Sequence, residues 1–140
     1  MMAQMISPEM ADAWMLRGWG QHDANRLAIA IAWGKYSEDD ACRELATTLA
    51  WHATRAKIHT VSCRVLAAEM LEDAIGAVEH RHNAVQHRMT AAAEAVLRAD
   101  PRDRMGAAMA AAGIARAEEV PPHLIHTALR HASWRTGRRA

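Results

Sequence analysis

The sequence has no phenylalanine, one tyrosine, two cysteines and four prolines in 140 residues. Each scarcity excludes something. Strands are filled by β-branched and aromatic residues, yet Val and Ile together supply 13 positions against 32 for Ala, the strongest helix former. That balance excludes a sheet protein and predicts an all-α chain. Cys42 and Cys63 form neither a disulfide framework nor a CxxC pair, which fits a reducing compartment and leaves both as small core residues. Crossing a bilayer takes about 20 apolar residues; the longest stretch free of Asp, Glu, Lys and Arg is the 11 residues 105–115. The opening MMAQMISPEM lacks the basic and apolar regions of a secretory signal, so the expected location is cytoplasmic, away from any membrane.

Enzyme motifs are missing as well. There is no GxGxxG, P-loop, GxSxG or HExxH, and the acidic run Glu38-Asp39-Asp40 sits where a helix N-terminus accounts for it. No catalytic residue, metal ligand or cofactor is assigned, and the expectation is a non-enzymatic protein. With 51% hydrophobic and 24% charged residues the chain is neither disordered nor membranous, and its length suits a single helical domain, 1–140, with one core.

What is present is an uneven distribution of charge. The formal net charge of +1 cancels two opposite halves: residues 1–80 hold 7 Lys and Arg against 11 Asp and Glu, whereas residues 81–140 hold 10 Arg against 5 acids. Residues 120–140 carry four Arg and no acid, a concentrated positive segment. Only two of the 17 basic residues are Lys. Arg suits phosphate and carboxylate recognition, although a GC-rich genome raises Ala and Arg together without any such role.

Local signals divide the chain into short apolar helices in 1–36, a long helical hairpin or coiled coil in 37–100, and a basic helical segment in 101–140. Ser7-Pro8-Glu9 starts a first helix that the Gly18-Trp19-Gly20 run is expected to end near Arg17. A second helix, 24–33, stops at Gly34. Ser37 caps the next, and from there to Asp100 there is no Pro and one Gly. Unbroken, those residues would form a helix about 90 Å long, against a radius of gyration near 14 Å for a compact chain of this size. Two seams with helical spacing run through the segment, one through Leu45, Leu49, Leu66 and Met70, the other through Leu71, Val78, His82, Val85 and Met89. They occupy different faces, so a break is placed at 59–62, beside the cap-forming Thr60 and Ser62. The alternative is one long helix in a coiled-coil dimer. Asp100-Pro101 starts a further helix to about Glu119, and Pro121-Pro122 starts the last. The expected fold is a bundle of six or seven helices with two long central amphipathic ones.

Nine histidines invite a metal reading. Glu79-His80-Arg81-His82 holds one Glu-x-x-His spacing, half of a di-iron bundle site, but the second motif is missing. His52/His59 and His80/His87 lie about 10.5 Å apart along a helix, too far to share an ion. His123 and His126 can reach one ion but fall short of the three or four ligands zinc requires. A His-based metal or haem bundle is the third functional alternative.

Residues 114–129, IARAEEVPPHLIHTAL, resemble the helix-turn-helix of repressors. Ala115 stands where a small residue lies at the helix crossing and Val120 where an apolar residue follows the turn; Glu119 departs from the pattern by replacing the turn glycine. The resemblance implies that His123, His126, Thr127 and Arg130 face the major groove while Arg135, Arg138 and Arg139 neutralise phosphates. Four tryptophans, Trp14, Trp19, Trp33 and Trp51, lie in the acidic part of the chain. Taken singly each is expected in the core, yet Trp14 with Met10, Met15 and Arg17 forms a candidate partner-binding surface, since Trp dominates interface hot spots. The leading expectation is therefore a helical interaction protein that binds another macromolecule, a protein partner, as a homodimeric regulator, adaptor or inhibitor. A DNA-binding regulator using 111–139 is the alternative.

Overall fold

The computed structural model describes residues 6–137. They form five helices and no strand: α1 (Pro8–Ala32), α2 (Glu38–Ala56), α3 (Cys63–Ala99), α4 (Arg104–Ala117) and α5 (His123–Gly137). Five replace the expected six or seven because α1 runs straight through Gly18-Trp19-Gly20. Gly20 is a contact position: a Cβ there would lie 2.7 Å from Leu49 Cδ2 and 3.3 Å from Met70 Cε. At Gly18 such an atom would meet nothing within 4 Å. One helical glycine costs only about 1 kcal/mol, which packing along the rest of a 25-residue helix outweighs.

Caps define the other ends. Ser7 and Ser37 accept the backbone N–H groups of Met10 and Asp40 at 3.2 and 3.1 Å. Residues 37–100 hold two helices, not one coiled-coil strand: the chain breaks at 57–62 and restarts where the Ser62 hydroxyl accepts Val65 N–H. The last turn-and-cap differs from the expectation by three residues. Asp103, not Asp100, caps α4 through Gly106 N–H at 2.8 Å, and Asp100 accepts the N–H of Arg102 inside the preceding turn.

Three helices stop in one way. Paired backbone bonds run from Lys35 N to Ala30 O with Gly34 N to Ile31 O, from Ile58 N to Ala53 O with Lys57 N to Thr54 O, and from Val120 N to Ala115 O with Glu119 N to Arg116 O. This is the Schellman arrangement, which needs a left-handed residue after the helix. Gly34 supplies it at φ 72°, but Lys57 and Glu119 adopt φ 57° and 54° despite their side chains. Ile58 over Ala53 and Val120 over Ala115 are buried pairs that hold these two stops.

The chain divides within α3 into two compact units, residues 1–78 and 79–140. In the first, α1 packs on α2 around Leu16, Leu27, Leu45, Leu49, Leu66 and Met70, all at most 4% exposed. Arg26 donates to Glu44 at 2.6 Å, and the Tyr36 hydroxyl donates to the same carboxylate at 2.6 Å. In the second unit α4 packs on α5, and the interior is built from Ala107, Ala111, Ala115, Ala128 and Ala132 with Val85, Met89 and Leu97. Both seams read from the sequence are thus covered within the chain.

Candidate binding faces

Alanine and leucine fill the helix interfaces of the first unit, so the large aromatic and thioether side chains stand outside them. Met10, Trp14, Met15 and Trp19 are 50%, 56%, 47% and 43% exposed, which corrects the expectation of tryptophans in the core. Trp14 and Met15 flank the open position Gly18 on the side of α1 opposite the buried Leu16, Ala24 and Leu27, and Met10 and Trp19 lie at the two edges of that side. From α2, Trp51 is 56% exposed and joins this surface through His52, whose ring stacks on Trp19 at 5.5 Å and meets Trp51 edge-on at 5.0 Å. The Arg55 guanidinium lies over the Trp51 ring at 4.6 Å. Trp33 is half-buried, with Lys35 Nζ 6.0 Å from its ring.

Arg17 follows Trp14 by one helical turn and is engaged in an ion pair. It donates to Glu69 at 2.9 Å and lies 3.9 Å from Asp73, both on α3. Trp51 was beyond sequence reasoning as a neighbour of Trp19, because their approach depends on how α1 and α2 pack.

In the second unit α4, the stop at Glu119 and α5 form the helix-turn-helix-like segment. Ala115 and Val120 are buried where the motif places a small and an apolar residue, and Glu119 takes the left-handed conformation of the missing glycine. Leu124, Ala128 and Ala132 bury one stripe of α5, with Ile125 and Leu129 partly covered beside it. His123, His126 and Arg130 are exposed, and Thr127 is half-buried. Glu118 is neutralised by Arg81 at 3.5 Å and Arg88 at 3.1 Å, and Arg81 also donates to its carbonyl.

Arg135 has a structural partner and stays more than half exposed. It donates to Glu94 at 3.0 Å, and Arg98 reaches the same carboxylate at 3.2 Å; the Glu94 side chain is 9% exposed. Arg138 and Arg139 lie outside the described residues. Trp134, which sequence reasoning left out, is 61% exposed on α5, one helical turn after Arg130.

His82 is nine-tenths buried. Burial chiefly, with help from Arg81 and His123, holds its imidazole below the usual value and so favours the neutral ring. Burial likewise pushes the Cys63 thiol up, away from the thiolate form that reactivity requires. Among the described residues no three His, Cys, Asp or Glu side chains converge as a metal site, and no helix is long and apolar enough to cross a membrane. The chain matches no known protein family, no characterised protein and no solved structure.

Proposed function

We propose that this is a non-enzymatic, cytoplasmic regulator, adaptor or inhibitor that works by binding another protein through the outward face of α1 and α2. The observation that carries this reading is the exposure together of Met10, Trp14, Met15, Trp19 and Trp51 on one compact unit. Soluble surfaces rarely group large apolar side chains this way without a partner. A homodimer would use the same face, because the seams that first suggested a dimer are buried within the chain. The test compares the native protein with a W14S/W19S/W51S variant, whose substitutions are all at exposed sites. Light scattering across concentration reads self-association, and quantitative capture from the native host reads other partners. A concentration-independent monomer whose captured proteins are unchanged in the variant would remove the reading.

One observation favours a second reading, a DNA-binding regulator using residues 111–139. Glu119 holds the left-handed turn without glycine, and α5 carries no acidic residue beside exposed His123, His126 and Arg130. Binding through phosphates weakens steeply as salt rises. Duplex retardation that falls from about 50 mM to 200 mM salt supports this reading, and no retardation at about 50 mM ends it.

A further inference from the structure

In the second unit a cavity of about 350 Å³ opens between the end of α3, the start of α4 and one side of α5. Its apolar floor is Leu97, Ala107 and Leu129, and its polar lining is Arg104, His126, Arg130 and Ser133. A neighbouring cavity of about 400 Å³ shares Leu97, Arg104 and Ser133 and adds Arg98 and Thr136. Neither Arg104 nor Arg130 is paired with a carboxylate among the described residues. The acids of this region are engaged elsewhere: Glu94 with Arg98 and Arg135, Asp100 with the Arg102 N–H, and Asp103 with the Gly106 N–H. None of these carboxylates lines the cavity.

Arg104 and Arg130 both line this one small opening without an acid between them, and an anion there would relieve the repulsion of their charges. The low-dielectric floor strengthens both that repulsion and its relief. His126, Arg130 and Ser133 follow one another at one-turn spacing along α5, so they present their donors as a row facing Arg104. The geometry points to a phosphate-binding site formed by Arg104, His126, Arg130 and Ser133. A carboxylate can bridge two arginines, as Glu94 does, but brings one charge and two oxygens; a phosphate brings up to two charges and enough oxygens to accept both forks and the serine hydroxyl together. The volume is at the small end of ligand pockets, which suits a phosphate group better than a large apolar ligand. The phosphate can belong to a small phosphorylated ligand or to a nucleic-acid backbone. The site shares His126 and Arg130 with the DNA reading and adds Arg104 from α4, which has no part in the groove-facing set, so it does not require DNA as its ligand.

The test is calorimetric titration of the full chain with inorganic pyrophosphate, followed by the same titration in the presence of a short DNA duplex. Saturable binding is expected, weakened about tenfold by R104Q or R130Q singly, the loss of one charge-assisted contact. An R116Q variant should bind as the native protein does, because Arg116 is exposed on α4 away from the cavity; it controls for net charge. Circular dichroism confirms that each variant is folded. Loss of pyrophosphate binding in the presence of duplex supports the site and assigns it to backbone phosphate; undisturbed binding supports the site and assigns it to a small ligand. Absence of saturable pyrophosphate binding, or binding equal in native protein and in R104Q/R130Q, overturns the proposal.

Discussion

Both units are helical and share α3, but they solve opposite problems. The first packs six leucines among the six alanines of its interior and has surface ion pairs, and its exposed side chains include tryptophan and methionine. The second has six interior alanines but only two leucines, a buried carboxylate between two arginines, and arginines that no acid covers. Leucine interiors gain stability from buried area; alanine interiors gain it from close approach of backbones, leaving little room for change. The same kind of substitution should therefore act differently in each unit.

The largest effect is expected from Leu45→Ala in the first unit, which should cost about 2–5 kcal/mol by opening a cavity. Its counterpart, Ala111→Leu, should cost about 1–3 kcal/mol by overpacking. Urea unfolding of both variants checks the pair, and an alanine interior that accepts leucine without loss would break the contrast. Next comes the buried carboxylate. Removing both partners with R98A/R135A leaves Glu94 buried and unpaired, at a cost of about 3 kcal/mol. Arg17→Ala cuts an ion pair whose Glu69 partner is more than half exposed and should cost under about 1 kcal/mol.

Glycines sharpen the comparison within one helix. Gly18→Ala meets open space and should stabilise α1 by up to about 1 kcal/mol. Gly20→Ala drives a methyl group into Leu49 and Met70 and should lose that gain or reverse it. Thermal unfolding of the two variants orders them. A Gly20→Ala protein as stable as Gly18→Ala would mean that α1 and α2 do not approach as described.

Acidification gives the smallest and most diagnostic contrast. His82, in the second unit, has a folded value below the ordinary 6.5, so its contribution is complete above that pH. It is lost as the pH falls through the folded value, because the unfolded chain takes up the proton first. Glu44, in the first unit, is held below the ordinary 4.5 by the Tyr36 hydroxyl and by Arg26. Its contribution is present above 4.5 and is lost as the pH falls through the lower folded value. Hydrogen exchange followed from neutral to acidic pH should show the second unit loosening first, and His82→Gln should remove that early step.

Much of the fold was legible in the sequence because it rests on local chemistry. Ala richness, the serine caps, the break near Ser62 and the double-proline restart are all settled within a few residues of chain. The misreadings came from distant contacts. Gly18-Trp19-Gly20 reads as a stop until Gly20 is seen beneath Leu49 and Met70. That Arg135 also holds Glu94, 41 residues away, could not be read from the sequence. Around Trp14, the exposure of Met10 and Met15 was legible, whereas the pairing of Arg17 with Glu69 and the approach of Trp51 depend on helix packing. Arg104 and Arg130 are distant in sequence and meet only in the cavity.

The central claim is that binding is carried by the outward face of α1 and α2. Quantitative capture from the native host, with light scattering for self-association, measures it most directly when W14S/W19S/W51S and R104Q/R130Q are compared with the native protein. The account expects partners, or a second copy, that are lost from the tryptophan variant and kept by the arginine variant. Equal capture and equal mass in the native protein and the folded tryptophan variant would contradict it.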